Sequence, residues 1–189
     1  MVINQEFFSS KSTIRVAREL LGKFLVRRYR GKTRAYMITD VEAYDGWKDK
    51  ASHAHHGRTE RNAPMFGEAG HWYVYFTYGM HWLLNIVTGP QKYPAAILIR
   101  SIRIVGPEPS RRTAFNGPEH GRGATINGPA RLTKALHIDK KLNGKKADKK
   151  SSLWIEKRGA VKLKIKKGPR IGVDYAGPIW SKKHCRFYL

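Results

Sequence analysis

Apolar and polar residues follow two rhythms along this chain, and the changes of rhythm mark its elements. In IRVARELL, Ile14, Ala17, Leu20 and Leu21 share one helical face. Ser12 or Thr13 stands where an N-cap belongs, and Gly22 where a helix end favours a left-handed residue. FLVRRYR and TRAYMITDVEAY flank Gly31 and Lys32 and predict a hairpin or meander pair. From Gly46 to Gly70 the chain is polar, histidine-rich and bounded by glycines, which predicts a long ordered loop; such loops in compact domains usually serve function. WYVYFT and HWLLNIVT predict a second hairpin around Gly79, and AAILIRSIRIV a strongly apolar strand. Pro129 can open a helix in ARLTKALHI, while WIEKRG, VKLKIKKG and RIGVDY predict short closing strands.

Strands dominate, and helices do not alternate with them. The pattern predicts an α+β fold: a single compact domain over residues 1–189, mostly antiparallel β-sheet, with a projecting β-hairpin and flanking helices. No repeat or long linker divides it.

Within AYMITDVEAYD the two-residue period sends Met37, Thr39, Val41 and Ala43 to one side and Tyr36, Ile38, Asp40, Glu42 and Tyr44 to the other. The first set suits a core; the second carries acids that are costly to bury without purpose. In the aromatic ribbon WYVYFTYGMHWLLN, alternation places Tyr73, Tyr75 and Thr77 on one face and Val74 and Phe76 on the other. Tyr78 falls at the Gly79 turn, where a side chain projects outward and can wedge into a base stack.

Charge sharpens that reading. Thirty-seven Lys and Arg stand against 14 Asp and Glu, a formal net charge of +23, which points to a polyanionic partner. Part of the excess sits in KKLNGKKADKK, residues 140–150, which reads as a solvated loop. No run is apolar enough to span a membrane, and the N-terminus lacks the pattern of a signal peptide, so a cytoplasmic protein is expected. Cys185 is the only cysteine, which excludes an internal disulfide and a cysteine-based metal site. His53, His55 and His56 fit no closed zinc spacing, and no metal or cofactor is expected. Nucleophile elbow, Walker loop and dinucleotide fingerprint are all missing; GRGATINGPAR has glycines but no Walker lysine. The chemistry on offer is a carboxylate acting on water among aromatics and cations.

EAY at 42–44, the SHA…GRT…RN loop, MFG at 65–67, YVYFTYGMHW at 73–82 with Asn85, and LIR at 98–100 resemble the alkyladenine (3-methyladenine) DNA glycosylases. NGPARLTKAL at 127–136 and GPRIGVDYAG at 168–177 are similar to later motifs of that family, so the likeness covers nearly the whole chain. It implies a monofunctional enzyme that flips a damaged purine out of double-stranded DNA and hydrolyses its N-glycosidic bond. Glu42 would be the general base and Arg100 would help position the water. Tyr44, His53 and Tyr75 would sandwich the base, Asn85 would discriminate against guanine, and Tyr78 would intercalate. Arg58, Arg61, Met65 and Arg131 lie in segments similar to the family's DNA-contacting parts. The resemblance further implies a monomer without cofactor, of bacterial type and associated with the nucleoid through DNA. KKHCRFYL departs from it: His184 and Cys185 replace an expected Pro-Trp pair. The rival reading is a non-catalytic basic nucleic-acid-binding protein, which has no use for Asp40 and Glu42 beside Tyr44.

Overall fold

Two long strands organise the computed structural model, which describes residues 1–105, 123–159 and 162–189. The chain opens with helices α1 (Gln5–Ser9) and α2 (Thr13–Leu20), then strands β1 (Phe24–Tyr29) and β2 (Lys32–Asp45). After the long loop come β3 (Trp72–Thr77), β4 (His81–Val87), β5 (Ala95–Ile104) and β6 (Thr125–Asn127). Helix α3 (Pro129–Ala135), β7 (Leu153–Glu156), β8 (Lys166–Gly168), α4 (Gly177–Ser181) and β9 (Arg186–Tyr188) complete it. Every strand pairing is antiparallel, and the order β3-β4-β5-β2-β1-β7 forms one curled sheet in a single compact α+β domain. No helix among the described residues is long and apolar enough to cross a membrane.

Local chemistry explains the first elements. The Ser12 hydroxyl accepts from Arg15 N and caps α2, while Thr13 turns inward and donates to Asp45. Val16, Ala17 and Leu20 are buried, and Gly22 follows at φ +78°. The β1–β2 hairpin turns on Arg30 and Gly31, both left-handed, the geometry of a two-residue type I′ turn.

The sheet branches where both central strands lose register. Ile38 pairs with Ile102 and Asp40 with Ser101, so Thr39 has no partner across β5; Val41 then pairs with Ile99, so Arg100 has none across β2. Each strand carries one extra residue at the same level, a matched pair of bulges. At this level β2 exchanges its outer neighbour β1 for β9, and β5 exchanges β4 for β6. Side-chain parity flips as well. Tyr36 and Ile38 below the bulge, and Val41 and Ala43 above it, all enter the main core, where Ile97, Ile99 and Ile102 meet them. The expected grouping of Tyr36 and Ile38 with the acids is therefore corrected: the extra residue resets the phase, so of that group Asp40, Glu42 and Tyr44 alone take the opposite face, and Met37 and Thr39 are not part of the core cluster.

Three other expectations change. RIGVDY forms no strand: Ile171 N donates to a Glu42 carboxylate oxygen rather than to a neighbouring strand, Gly172 is left-handed, and Asp174–Ala176 is a 3-10 turn. Of VKLKIKKG only Lys166–Gly168 is strand, and Val161 lies outside the described residues, as do Gly121 and Arg122 of GRGATINGPAR. Residues 140–150 are more than a solvated loop. Leu142 and Ala147 are buried, Trp72 N donates to Lys145 O, and Asn143 Oδ1 accepts from Val74 N, so this segment covers the edge of β3.

Gly46 ends β2 at φ +78°, where a Cβ would overlap the hydroxyl and ring of Tyr93, whereas the left-handed Gly31 faces open space. Gly31→Ala is expected to cost only the backbone term of about 1–2 kcal/mol. Gly46→Ala is expected to cost clearly more; urea denaturation should show the lower midpoint for Gly46→Ala with an unchanged slope.

Candidate active site

Above the bulge, four strands present one row of side chains on the same face. Glu42 pairs with Leu98, Leu98 with Asn85, and Asn85 with Tyr73. Arg100, Tyr44 and Tyr75 flank that row, and loop residues close over it. The result is a cavity of about 310 Å³, within the range of small-molecule sites. Tyr44, His53, Tyr75, Asn85 and Arg100 all line it, together with Met65 and Tyr78.

Glu42 stands behind this lining with no side-chain surface exposed. Its Oε1 accepts from Ile171 N at 2.8 Å and lies 3.2 Å from an Arg100 guanidinium nitrogen; its Oε2 accepts from the Tyr44 hydroxyl at 2.8 Å. Two hydrogen bonds and one ion pair leave part of its roughly four-site acceptor capacity open. Burial pushes its pKa above the usual glutamate value; Arg100, the Ile171 amide and Tyr44 oppose that, and nearby Asp40 adds to it. Arg186 takes up Asp40 through both Nε and a terminal nitrogen, and Arg100 lies 3.8 Å from the same carboxylate. Arg100 thus stands between the two acids, while Arg186 hydrogen-bonds Asp40.

Tyr44 is fixed from behind. The Arg170 guanidinium sits 4.8 Å over its ring, is itself buried, and binds Asp49 through two nitrogens while donating to Ala43 O. Asp49 also accepts from the amides of Asp45 and Ala51, which ties down the start of the long loop. Further along, Asn62 donates to His53 O and Gly57 O and accepts from Thr59 N. These contacts make the loop an ordered one, as its composition predicts.

His53 meets the Tyr75 ring edge-on at 4.6 Å, and its Nδ1 lies 3.0 Å from the Tyr73 hydroxyl. Burial, then the Arg61 cation, push its pKa down to about 4. His53 as a residue is solvent-exposed, which weakens the desolvation, and the direction alone makes it neutral at pH 7. Burial raises the phenols of Tyr44, Tyr73 and Tyr75, so all three stay protonated donors. Asn85 donates to Tyr73 O across the hairpin.

The other residues singled out from sequence separate by depth. Tyr78 is 84% exposed at the hairpin tip, beside exposed Met80 and Phe76. Arg61 braces that hairpin, its guanidinium 5.1 Å over Tyr75 and donating to Phe76 O. Arg58 is exposed on the loop, and Arg131 is exposed on α3 next to Pro129 and Ala130 of the cavity. Met65 is not with them: it is buried against Tyr73, Ala54, Val87 and Ala96 in the cavity wall. His55 and His56 lie against each other on the loop, and the described residues hold no group of three metal-ligating side chains. Sequence reasoning missed Asp49, Asn62 and Arg170. GPR and the acid of the loop are visible as residues, but nothing in periodicity joins positions 121 apart.

Residues 6–189 match the family described as methylpurine-DNA glycosylase. A protein of Methanocella arvoryzae, provisionally named a 3-methyladenine DNA glycosylase, is 45% identical over 187 residues, covering 99% of this chain and 92% of the relative. Proteins of the same provisional name from Anaeromyxobacter dehalogenans and Streptomyces avermitilis are 39% and 38% identical, covering 100% and 94% of this chain and 84% of each relative.

Breaking the Arg170–Asp49 pair from one side strands a buried cation. Asp49→Ala is expected to destabilise the fold by about 3–5 kcal/mol, read by denaturant titration.

Proposed function

This chain belongs to the methylpurine-DNA glycosylase family, and from that premise we propose that it excises alkylated purines, 3-methyladenine foremost, from duplex DNA by hydrolysing the N-glycosidic bond. The observation that carries the reading is Glu42, a buried carboxylate with acceptor capacity left over beside an aromatic cavity. In this mechanism the damaged nucleotide leaves the stack and its base enters the cavity. Tyr78, at the exposed tip, fills the vacated space. The electron-rich faces of Tyr44 and Tyr75 attract an alkylated, cationic base. Its positive charge weakens the bond to the sugar, so the base departs with the bonding electrons as a neutral molecule. Glu42 accepts a proton from a water as the water oxygen bonds to the anomeric carbon. Arg100 holds the carboxylate, and the remaining donors keep its oxygens fixed during attack.

No lysine is among the described residues lining the cavity, which favours water over a lysine amine as nucleophile. Borohydride should therefore trap no covalent adduct with DNA. The dense basic surface supplies affinity that weakens with salt. A pure nucleic-acid-binding role would leave the cost of burying Glu42 without a return.

Release of 3-methyladenine from methylated duplex DNA, measured for wild type and Glu42→Gln, tests the mechanism. The variant is expected to lose at least about 100-fold in single-turnover rate while keeping its DNA affinity; equal rates would remove Glu42 from the mechanism. The pH dependence has a definite sign. Glu42 must be ionised to act, and its pKa is raised, so the rate should fall as pH drops through a value above that of an ordinary glutamate. Ionising the buried group also opposes folding, a cost that builds as pH rises from the ordinary glutamate value to the raised folded one. Relative to wild type, Glu42→Gln should accordingly gain thermal stability at pH 8 and lose that advantage below about pH 4, under the ordinary glutamate value.

A further inference from the structure

A second concavity, of about 600 Å³, opens beyond the far end of α3. Pro129 and Ala130 at the start of that helix line the aromatic cavity, whereas Lys134 and His137 at its end line this groove. The two are separated by one short helix, about 10 Å at 1.5 Å per residue. The groove has no part in the chemistry described above.

Its lining is unusual in three independent ways. Six Lys and Arg face it against one carboxylate, Asp139, whose Oδ1 already accepts from Lys141 N. Arg27 and Arg28 are anchored there by backbone carbonyls of Leu136, His137, Ser152 and Lys149, leaving Arg30, Lys134, Lys141 and Lys145 exposed. Crowding of like charges in a concavity opposes folding and is relieved by an anionic occupant. Next, backbone strain gathers here. Of the five non-glycine residues with positive φ among the described residues, Arg30, His137 and Ser152 line this groove, and a fourth is Tyr78 at the aromatic cavity. Arg30 occupies a turn position that Asn, Asp or Gly would fill at lower cost. Finally, the walls are rigid. Tyr29 and His137 stack at 4.4 Å and 12°, and the guanidiniums of Arg27 and Arg30 lie 5.5 and 5.4 Å from the Tyr29 ring. Arg30 is thus displayed on a stacked ledge, Lys134 on α3, and Lys141 and Lys145 on the segment that covers the edge of β3.

We infer that this groove is a second DNA-phosphate site, which Arg30, Lys134, Lys141 and Lys145 use to hold backbone outside the nucleotide being processed. Phosphodiester oxygens are the ligand chemistry that matches exposed cations spaced around an open concavity. Two sources can supply them: the flank of the duplex seated on the aromatic cavity, or a second segment of DNA.

The test uses Arg30→Glu/Lys134→Glu and a charge-matched control, Lys166→Glu/Lys167→Glu, whose positions lie off the groove. Fluorescence anisotropy is measured against salt with undamaged duplexes of about one and about four helical turns. The groove variant should lower the magnitude of the salt slope on the long duplex by about 2, well beyond the control. Loss confined to the long duplex at one-to-one stoichiometry identifies the flank. Two short duplexes per wild-type protein, with one lost in the variant, identifies a second segment. Groove variant and control behaving alike on the long duplex would overturn the inference, as would one-to-one binding with equal loss on both lengths. Because binding to undamaged DNA is read without turnover, this outcome is independent of whether Glu42 is the general base.

Discussion

A carboxylate taken out of water costs several kcal/mol unless donors meet its oxygens, and Glu42 has no exposed side-chain surface at all. Its two donors and one counter-ion come from separate parts of the chain: the Tyr44 hydroxyl on the same strand, the Ile171 amide from a segment near the C-terminus, and the Arg100 cation on the neighbouring strand. Each donor needs its own support. Arg170 immobilises Tyr44 and, as the residue before Ile171, fixes that amide too; Asp49 immobilises Arg170. Satisfying one charge therefore links the long loop, the central sheet and the closing segment into one network.

The paired bulges make that arrangement compatible with a dry core. Without them, a strict two-residue period would put Tyr36 and Ile38 on the same side as Glu42, and either the core or the cavity would receive the wrong side chains. Extra residues at Thr39 and Arg100 reset both strands at one level. The same step leaves Arg100 outside the ladder with β2, free to turn toward Glu42. The cavity then forms on one face of the contiguous strands β2, β5, β4 and β3.

This is also where legibility in the sequence stops. The β3–β4 hairpin keeps an unbroken register from Trp72–Ile86 to Thr77–His81, so the faces of Tyr73, Tyr75, Val74 and Phe76 follow from counting by two. The Ser12 cap, the Gly22 stop and the helix opened by Pro129 rest on contacts within a few residues, and these too can be read locally. A bulge leaves no mark on composition, so counting by two along β2 inverts the phase before Asp40. RIGVDY has strand-like residues, but its amide is spent on a carboxylate over a hundred positions away. Residues 140–150 look solvated because their lysines are, while the backbone and Leu142 between them complete the edge of the sheet. Local preference yields to tertiary demand at these places.

The cavity is made by two kinds of structure with different freedom to vary. Glu42, Arg100 and Asn85 stand on strands paired on both sides, where a change of backbone would disturb the whole sheet. His53, Met65, Gly172 and Tyr175 belong to connecting segments that only lean on that frame. Loops accept substitution and insertion far more readily than the strands they join. Over evolutionary time, the shape of the chamber can therefore drift while the acid behind it stays fixed, so descendants of one scaffold can diversify in what they admit without reinventing how they react.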